Sequence, residues 1–253
     1  VLLPEEAKGG IVAVIGLIRT ERPGMVVIQD QTWPAKARIA LACKRWRIPV
    51  AMRSDKNHLS ATTHSLLMRL VERRVVKLLF GRLAPISQLT VDYYNWREAG
   101  SVWWFPYPSS ERKFAPTDES GYVRSRIRSE LGISPNATVY LAVTKFVERE
   151  DPLAVIRVFA KVAKLRPKTA LILVGAGHLE SQLRSLASEE GVSSCVHFTG
   201  YVPYVRLHEY FWASDVLVHL ALCEPWGVSP QDALVARMGL VTSDRVGSGV
   251  CHL

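Results

Sequence analysis

The chain has 253 residues, a mass of 28.3 kDa and a formal net charge of +9, with 48% hydrophobic and 22% charged residues. That length suits one large domain or two ordinary ones, and that apolar content fills real cores, so wholesale disorder is excluded. Cys43, Cys195, Cys223 and Cys251 form no CxxC pair, which argues against a zinc module or a disulfide scaffold and favours a reducing compartment.

In chain order, MVVIQ (25–29), IPVAM (48–52), LAPIS (83–87) and VWWF (102–105) read as strands, with helical periods over 33–46, 62–80 and 88–99 between them. The 62–80 helix sets Leu66, Leu67, Leu70, Val75, Leu78 and Leu79 among Arg69, Arg73, Arg74 and Lys77. It reads either as a sheet-covering helix with a basic outer face or as one lying on an anionic membrane surface. A stretch rich in Pro, Ser and charge, 106–122, marks a linker, and a helix near 123–131 follows.

The second half is more regular. Strands are predicted at 138–143, 170–175, 195–200, 215–220 and 240–243, separated by helices near 152–166, 178–190, 203–213 and 230–239. Strands alternating with helices build parallel sheets covered on both faces, so the expected class is α/β with two Rossmann-like domains, 1–116 and 117–253. No apolar run reaches the roughly 18–20 residues of a membrane-spanning helix.

The charge is unevenly placed. Residues 1–134 hold 21 Lys and Arg against 12 Asp and Glu, whereas 135–253 hold 11 of each. A basic first half attracts phosphates, on nucleic acid, anionic lipid or a small molecule. The absence of a helix-turn-helix, zinc or aromatic-platform motif speaks against nucleic acid.

Three segments carry candidate chemistry. In VGAGH (174–178), Gly175 and Gly177 permit either close approach to a ligand or a tight strand-to-helix turn. In HLALCEPWGVSPQDALVARMG (219–239), a strand ends near Leu220 and a helix is expected to start with Ser229 as N-cap and Pro230 at the first position. Gly227 then clears space ahead of free amides, which suits an anion. Glu224 is placed to hydrogen-bond sugar hydroxyls, and Asp232 reads equally as a capping-box carboxylate without a ligand. Lys145 and Arg149, just beyond the strand at 138–143, suit a diphosphate or are plain surface charges. The histidines form no HxxH or HExxH pair; His58, His64 and His219 read as structural or as lining a cleft.

Taken together and in this order, VGAGHL, FTGYVP, EPWG…DAL and LVTSDRVG resemble the nucleotide-sugar-binding domain of glycosyltransferase family 4, with the GT-B fold. VVIQD, VAMRSD and DYYNWREAG…WWFPYP resemble the later part of the same family's acceptor domain more loosely. The resemblance implies that Glu224 contacts the transferred sugar and Lys145, with Arg149, neutralises the departing diphosphate. It implies that Val228 and Ser229 offer amides to that diphosphate, Asp232 holds the ribose, and Gly200, Tyr201 and Val202 pack the base. It further implies a nucleotide-sugar donor, a glycan or lipid-linked acceptor, retention of configuration, no cofactor and no obligatory metal. A cytoplasmic place, peripheral to the inner face of the membrane, follows as an expectation.

The sequence also departs from that pattern. Asp232 replaces the usual Glu, and Arg237 and Gly239 replace a common Gly and Pro. Glu150 stands where a second phosphate-binding lysine is usual, which would set a half-exposed negative charge beside the diphosphate. Val1 opens the chain and Leu253 closes it without the family's outer strands, so a partial chain is expected. The alternative reading is a degenerate, non-catalytic module that binds a nucleotide sugar or a glycan.

Overall fold

β-branched and aliphatic runs of four to six residues suit strands buried on both faces, and the second half of the chain uses them in that way. A computed structural model of the chain describes residues 10–29, 33–59, 65–96 and 101–252. Two units separate at Tyr107/Pro108.

The first unit contains α1 (Gly10–Glu21), β1 (Val26–Ile28), α2 (Trp33–Arg45), β2 (Val50–Ser54), α3 (Leu66–Leu79), β3 (Arg82–Pro85) and α4 (Gln88–Tyr94). Its parallel sheet has the order β1-β2-β3, with Val26 opposite Val50 and Met52 opposite Leu83. Ile39, Cys43, Met52, Phe80, Leu83 and Tyr93 form the centre of its core. α1 was not legible as an element, because GIVAVIGLI is apolar nearly all round and lacks the polar face that marks a helical period.

Three expectations for this unit are corrected. The helix expected over 88–99 ends at Tyr94, where Asn95 takes a left-handed φ of +49°; residues 97–100 lie outside the described ones. The helix expected over 62–80 begins at Leu66, after Ser65, whose hydroxyl accepts the Met68 amide; His64 lies outside the described residues. VWWF is not a strand. Leu83 N–H donates to Ser101 O, Trp103 N–H to Leu83 O and Phe105 N–H to Pro85 O, but only one bridge forms, Leu83 with Val102. Pro85 has no N–H to return to Trp103, so the ladder breaks there.

The second unit contains α5 (Glu111–Phe114), α6 (Ser120–Glu130), β4 (Thr138–Val143), α7 (Pro152–Leu165), β5 (Thr169–Val174) and α8 (Glu180–Glu189). It continues through β6 (Val196–Gly200), α9 (Leu207–Ala213), β7 (Val216–His219), α10 (Val228–Val235), β8 (Gly239–Thr242) and α11 (Gly247–His252). All five strands run parallel in the order β6-β5-β4-β7-β8. Along β5, Leu171 and Leu173 enter one core with Ile156 and Leu183, while Ala170, Ile172 and Val174 enter another with Phe114 and Phe211. The expected boundary at 116 therefore moves forward to 107, since Phe114 is fully buried 5.0 Å from the Phe211 ring.

At the amino ends of the strands, Arg128 reaches Asp215 at 2.9 Å and the same carboxylate accepts the Val139 amide at 2.8 Å. This fixes the starts of β4 and β7 side by side. Their connections then leave in opposite directions across the sheet, which makes the gap beyond their carboxyl ends the topological switch point where α/β sheets take ligands. Among the described residues no helix is long and apolar enough to cross a membrane.

Candidate functional site

The loop leaving β4 is organised by Glu150. Its carboxylate accepts the Thr144 hydroxyl at 2.8 Å and the Lys145 amide at 2.7 Å, and it lies 3.2 Å from Arg149 Nη2. With 7% of its surface exposed, Glu150 is not the half-exposed charge that the sequence suggested. It is an internal clamp that closes the turn and presents Lys145 outward. Arg149 bridges to the next loop: Nη2 lies 3.7 Å from Glu224 Oε2, and its carbonyl accepts the Leu222 amide at 3.0 Å. The switch point thus brings Lys145, Arg149, Glu150 and Glu224 together.

Gly175 and Gly177 are accounted for by the chain itself. A Cβ on Gly175 would fall 1.8 Å from Thr144 O, and one on Gly177 would fall 2.4 Å from Phe146 O. The loops after β4 and β5 lie backbone against backbone, joined by Thr144 N–H to Val174 O and Phe146 N–H to Ala176 O, each 3.0 Å. Gly175 N–H donates to Gly200 O at 2.9 Å, which extends the same layer to the end of β6. The glycines shape the floor of the site by close approach to Thr144 and Phe146.

The EPWG loop after β7 is held in the same backbone-to-backbone manner. Glu224 N–H donates to Arg245 O and Gly247 N–H returns to Glu224 O, both at 3.0 Å. Ser248 N–H donates to Trp226 O at 2.7 Å. A Cβ on Gly247 would meet Pro225 O at 2.1 Å, so α11 seats directly against the loop.

Two local expectations are corrected here. Ser229 is not the N-cap: α10 begins at Val228, and Gly227, at φ +81°, stands before it with no side-chain cap. A side chain is disfavoured at the cap, because φ is positive there and Val246 Cγ1 and Glu224 Cγ lie 3.1 and 3.3 Å from where its Cβ would be. Pro230 therefore occupies the third helical position and offers no N–H, which leaves the Val228 and Ser229 amides as donors at the helix start. The helix also ends earlier than 239, because Arg237 adopts a left-handed φ of +59° and Gly239 opens β8.

Asp232 is not a capping-box residue. It is 3% exposed, and its Oδ1 accepts the Ser109 hydroxyl at 2.5 Å. Burial raises its pKa to about 6, against the opposing pull of Ser109 and of the Lys113 charge. Lys113 in turn donates to Tyr204 O and sits 3.3 Å over the Tyr204 ring centroid. Tyr201 is 76% exposed, while Val202 is half-buried against the core. Ser109, Lys113 and Tyr204 were not legible in the sequence. Ser109 lies 123 residues from its partner in a segment that reads as linker. His219 is buried and its Nε2 finds no partner; burial lowers its pKa.

Comparison with known proteins places the chain in a family. Over 139 residues the chain is 27% identical to the GDP-mannose-dependent monoacylated alpha-(1-6)-phosphatidylinositol monomannoside mannosyltransferase of Corynebacterium glutamicum, covering 55% of this chain and 34% of that one. Over 104 residues it is 30% identical to the GDP-mannose-dependent alpha-(1-6)-phosphatidylinositol monomannoside mannosyltransferase of Mycolicibacterium smegmatis, covering 41% and 26%. The chain thus spans about a third or less of the curated relatives it matches. The crystal structure of Anabaena Alr3699/HepE in complex with UDP-glucose superposes with a TM-score of 0.73 at 16% identity, covering 95% of this chain and 64% of that one. A Rickettsia africae glycosyltransferase superposes at 0.74 with 10% identity, covering 97% and 64%; both show the α/β fold of GT-B enzymes. Residues 123–252, which hold every element of the site just described from β4 to α11, match the family described as glycosyl transferases group 1, and the chain belongs to that family.

Proposed function

We propose that the chain transfers a hexose from a nucleotide-sugar donor to a hydroxyl acceptor in cell-envelope polysaccharide or glycolipid synthesis, as a retaining family 4 enzyme. The observation that carries the reading is the convergence at the switch point. Lys145 and Arg149 stand with Glu224, one loop away from the uncapped amides of Val228 and Ser229. Two cations and two amides suit a diphosphate, and a carboxylate beside them suits sugar hydroxyls.

In the reaction, the bond from the anomeric carbon to the diphosphate oxygen breaks, the acceptor oxygen bonds to that carbon, and the acceptor's proton passes to the departing diphosphate. Negative charge gathers on the departing diphosphate, where Lys145, Arg149 and the helix start stabilise it without rearranging. Glu224 orients the sugar, Asp232 takes ribose hydroxyls, and Gly200, Tyr201 and Val202 receive the base. No cofactor or obligatory metal enters this scheme. The matched relatives are GDP-mannose-dependent mannosyltransferases named for phosphatidylinositol monomannoside, which supports a glycolipid acceptor.

The acceptor falls to the first unit, which we place at the inner face of an anionic membrane in the cytoplasm. On α3, Leu66, Leu67 and Leu78 are each more than 70% exposed, with Arg74 and Lys77 also exposed. Only Val76 and Leu79 of that helix are buried, which favours the membrane reading over a plain sheet-covering helix.

The test is a panel of nucleotide sugars, scored by thermal stabilisation of the chain and by transfer to glycan and lipid acceptors. One nucleotide diphosphate sugar should raise Tm and support transfer. Binding without transfer to any acceptor would favour the degenerate binding module, and no binding at all would remove the assignment.

A further inference from the structure

The first unit carries a second cluster, at the carboxyl end of β2. Arg53 packs against two aromatic rings, its Cζ 4.7 Å from the Phe105 centroid and 4.6 Å from that of Tyr107. Its Nη1 donates to Gln29 Oε1, and its buried Nε has no hydrogen-bond partner. It lines a cavity of about 210 Å³ together with Trp33, Lys36, Lys56 and two carboxylates, Asp55 and Glu72.

Both carboxylates are committed elsewhere. Glu72 accepts Lys56 Nζ at 2.8 Å on both oxygens and the Tyr93 hydroxyl at 2.8 Å, while Asp55 accepts the Tyr107 hydroxyl at 3.2 Å. Arg53 makes no ion pair among the described residues. A guanidinium packed against two rings, held in place by an amide oxygen and without an ion pair among the described residues, is pre-set to take an oxyanion along its edge. Trp33, 38% exposed on the cavity wall, adds a flat apolar surface of the kind a sugar or polyol ring packs on. The volume lies below the 300–1,000 Å³ of drug-sized pockets, room for a phosphate with a small polyol rather than for a nucleotide.

We propose that this cavity binds a phosphate ester of a sugar or polyol, and that Arg53 reads the phosphate. The site deepens the transferase reading, on which the link to the acceptor rests: the acceptor would carry a phosphate next to its hydroxyls.

The experiment titrates glycerol 3-phosphate into the full 253-residue chain by calorimetry, with the donor site first saturated with UDP or GDP. Glycerol and acetate serve as controls. Saturable binding of the ester alone is expected, weakened tenfold or more in Arg53→Gln and partly restored in Arg53→Lys. Because Arg53 also packs, Lys36→Glu, on the half-buried rim, provides a second variant that reverses charge without touching those two rings; it should weaken binding as well. Vesicles containing phosphatidylinositol form another arm. Arg53-dependent vesicle binding assigns the phosphate to a lipid headgroup, and its absence beside retained ester binding assigns it to a soluble ester. No saturable ester binding, equal binding of acetate, or parental affinity in Arg53→Gln and Lys36→Glu would overturn the proposal. Nucleotide binding in the same samples separates the two readings, since its loss alone removes the donor assignment and leaves the phosphate cavity standing.

Discussion

The two units organise their strand ends by different means. In the second, backbone lies against backbone: Gly175, Gly177 and Gly247 let neighbouring loops approach where any Cβ would strike a carbonyl oxygen, and the charged groups Lys145, Arg149 and Glu224 are mounted on that rigid layer. In the first, side chains do the organising. Arg53 is held by Phe105 and Tyr107, and Lys56 is tied through Glu72 to Tyr93. A backbone-built site leaves glycines and short motifs in the sequence; a side-chain-built one draws single residues from distant segments and leaves no motif.

This contrast can be tested at its strongest point by Gly175→Ala. The added methyl would sit 1.8 Å from Thr144 O, and a backbone carbonyl cannot swing away as a side chain would. The second unit should lose on the order of 4 kcal/mol, the exceptional end of single substitutions, and nucleotide binding with it. A variant with parental Tm and parental nucleotide affinity would show that the loops after β4 and β5 are not packed in this way.

Glu150 sharpens the same point. Read as an exposed charge opposing a diphosphate, its replacement by lysine would tighten donor binding. Buried and accepting the Thr144 hydroxyl and Lys145 amide, it should do the reverse. Glu150→Lys places a second cation against Arg149 and orphans a backbone donor, at a cost of about 3 kcal/mol. Chemical denaturation should show the loss, and calorimetry should show weaker donor binding. Tighter binding with unchanged stability would restore the exposed reading.

A smaller effect is expected at Glu224, where function and folding separate. Glu224→Ala should lower transfer by 10²-fold or so, about 2.7 kcal/mol in the barrier, while the unfolding temperature stays nearly constant. Undiminished transfer in this variant would sink the role given to its carboxylate.

How much of this was legible follows from the same contrast. The central strands β4, β5 and β7 of the second unit were readable because each is a short, largely β-branched and aliphatic run with buried residues. The first unit's α1 was hidden by its uniform apolarity, and VWWF passed for a strand because nothing local reveals that Pro85 lacks the amide its ladder needs. At the site, Lys145, Glu224 and the glycines carried signal by position after predicted strands. Ser109 and Lys113 carried none, since their link to Asp232 exists only once the segment after Tyr107 folds back onto α10. The start of α10 misled for a related reason: SPQD resembles a capping box, but the packing of Val246 and Glu224 around Gly227 sets the helix start one residue earlier than the expected cap.

The smallest predicted effect concerns Asp232 and pH. Burial is the main cause that raises its carboxyl from 3.8 to about 6. The folded state therefore holds the proton more tightly than the unfolded chain, and the stability this group contributes is complete below pH 4 and fades as pH rises through 6. Asp232→Asn keeps a neutral acceptor for the Ser109 hydroxyl and removes the buried charge. It should therefore be more stable than the parent at pH 7.5, by on the order of 1 kcal/mol, the attraction to Lys113 already offsetting part of the burial in that raised pKa. The advantage should vanish by pH 4, where the parent is itself protonated. If Asp232 also holds ribose hydroxyls as an anion, nucleotide affinity in the parent should fall as pH drops from 7 to 5, and the Asn variant should show no such fall. Unfolding midpoints and nucleotide titrations at pH 4, 5, 6 and 7.5 measure both. A constant stability gap across that range would mean that Asp232 stays ionised throughout, and that Ser109 and Lys113 outweigh its burial.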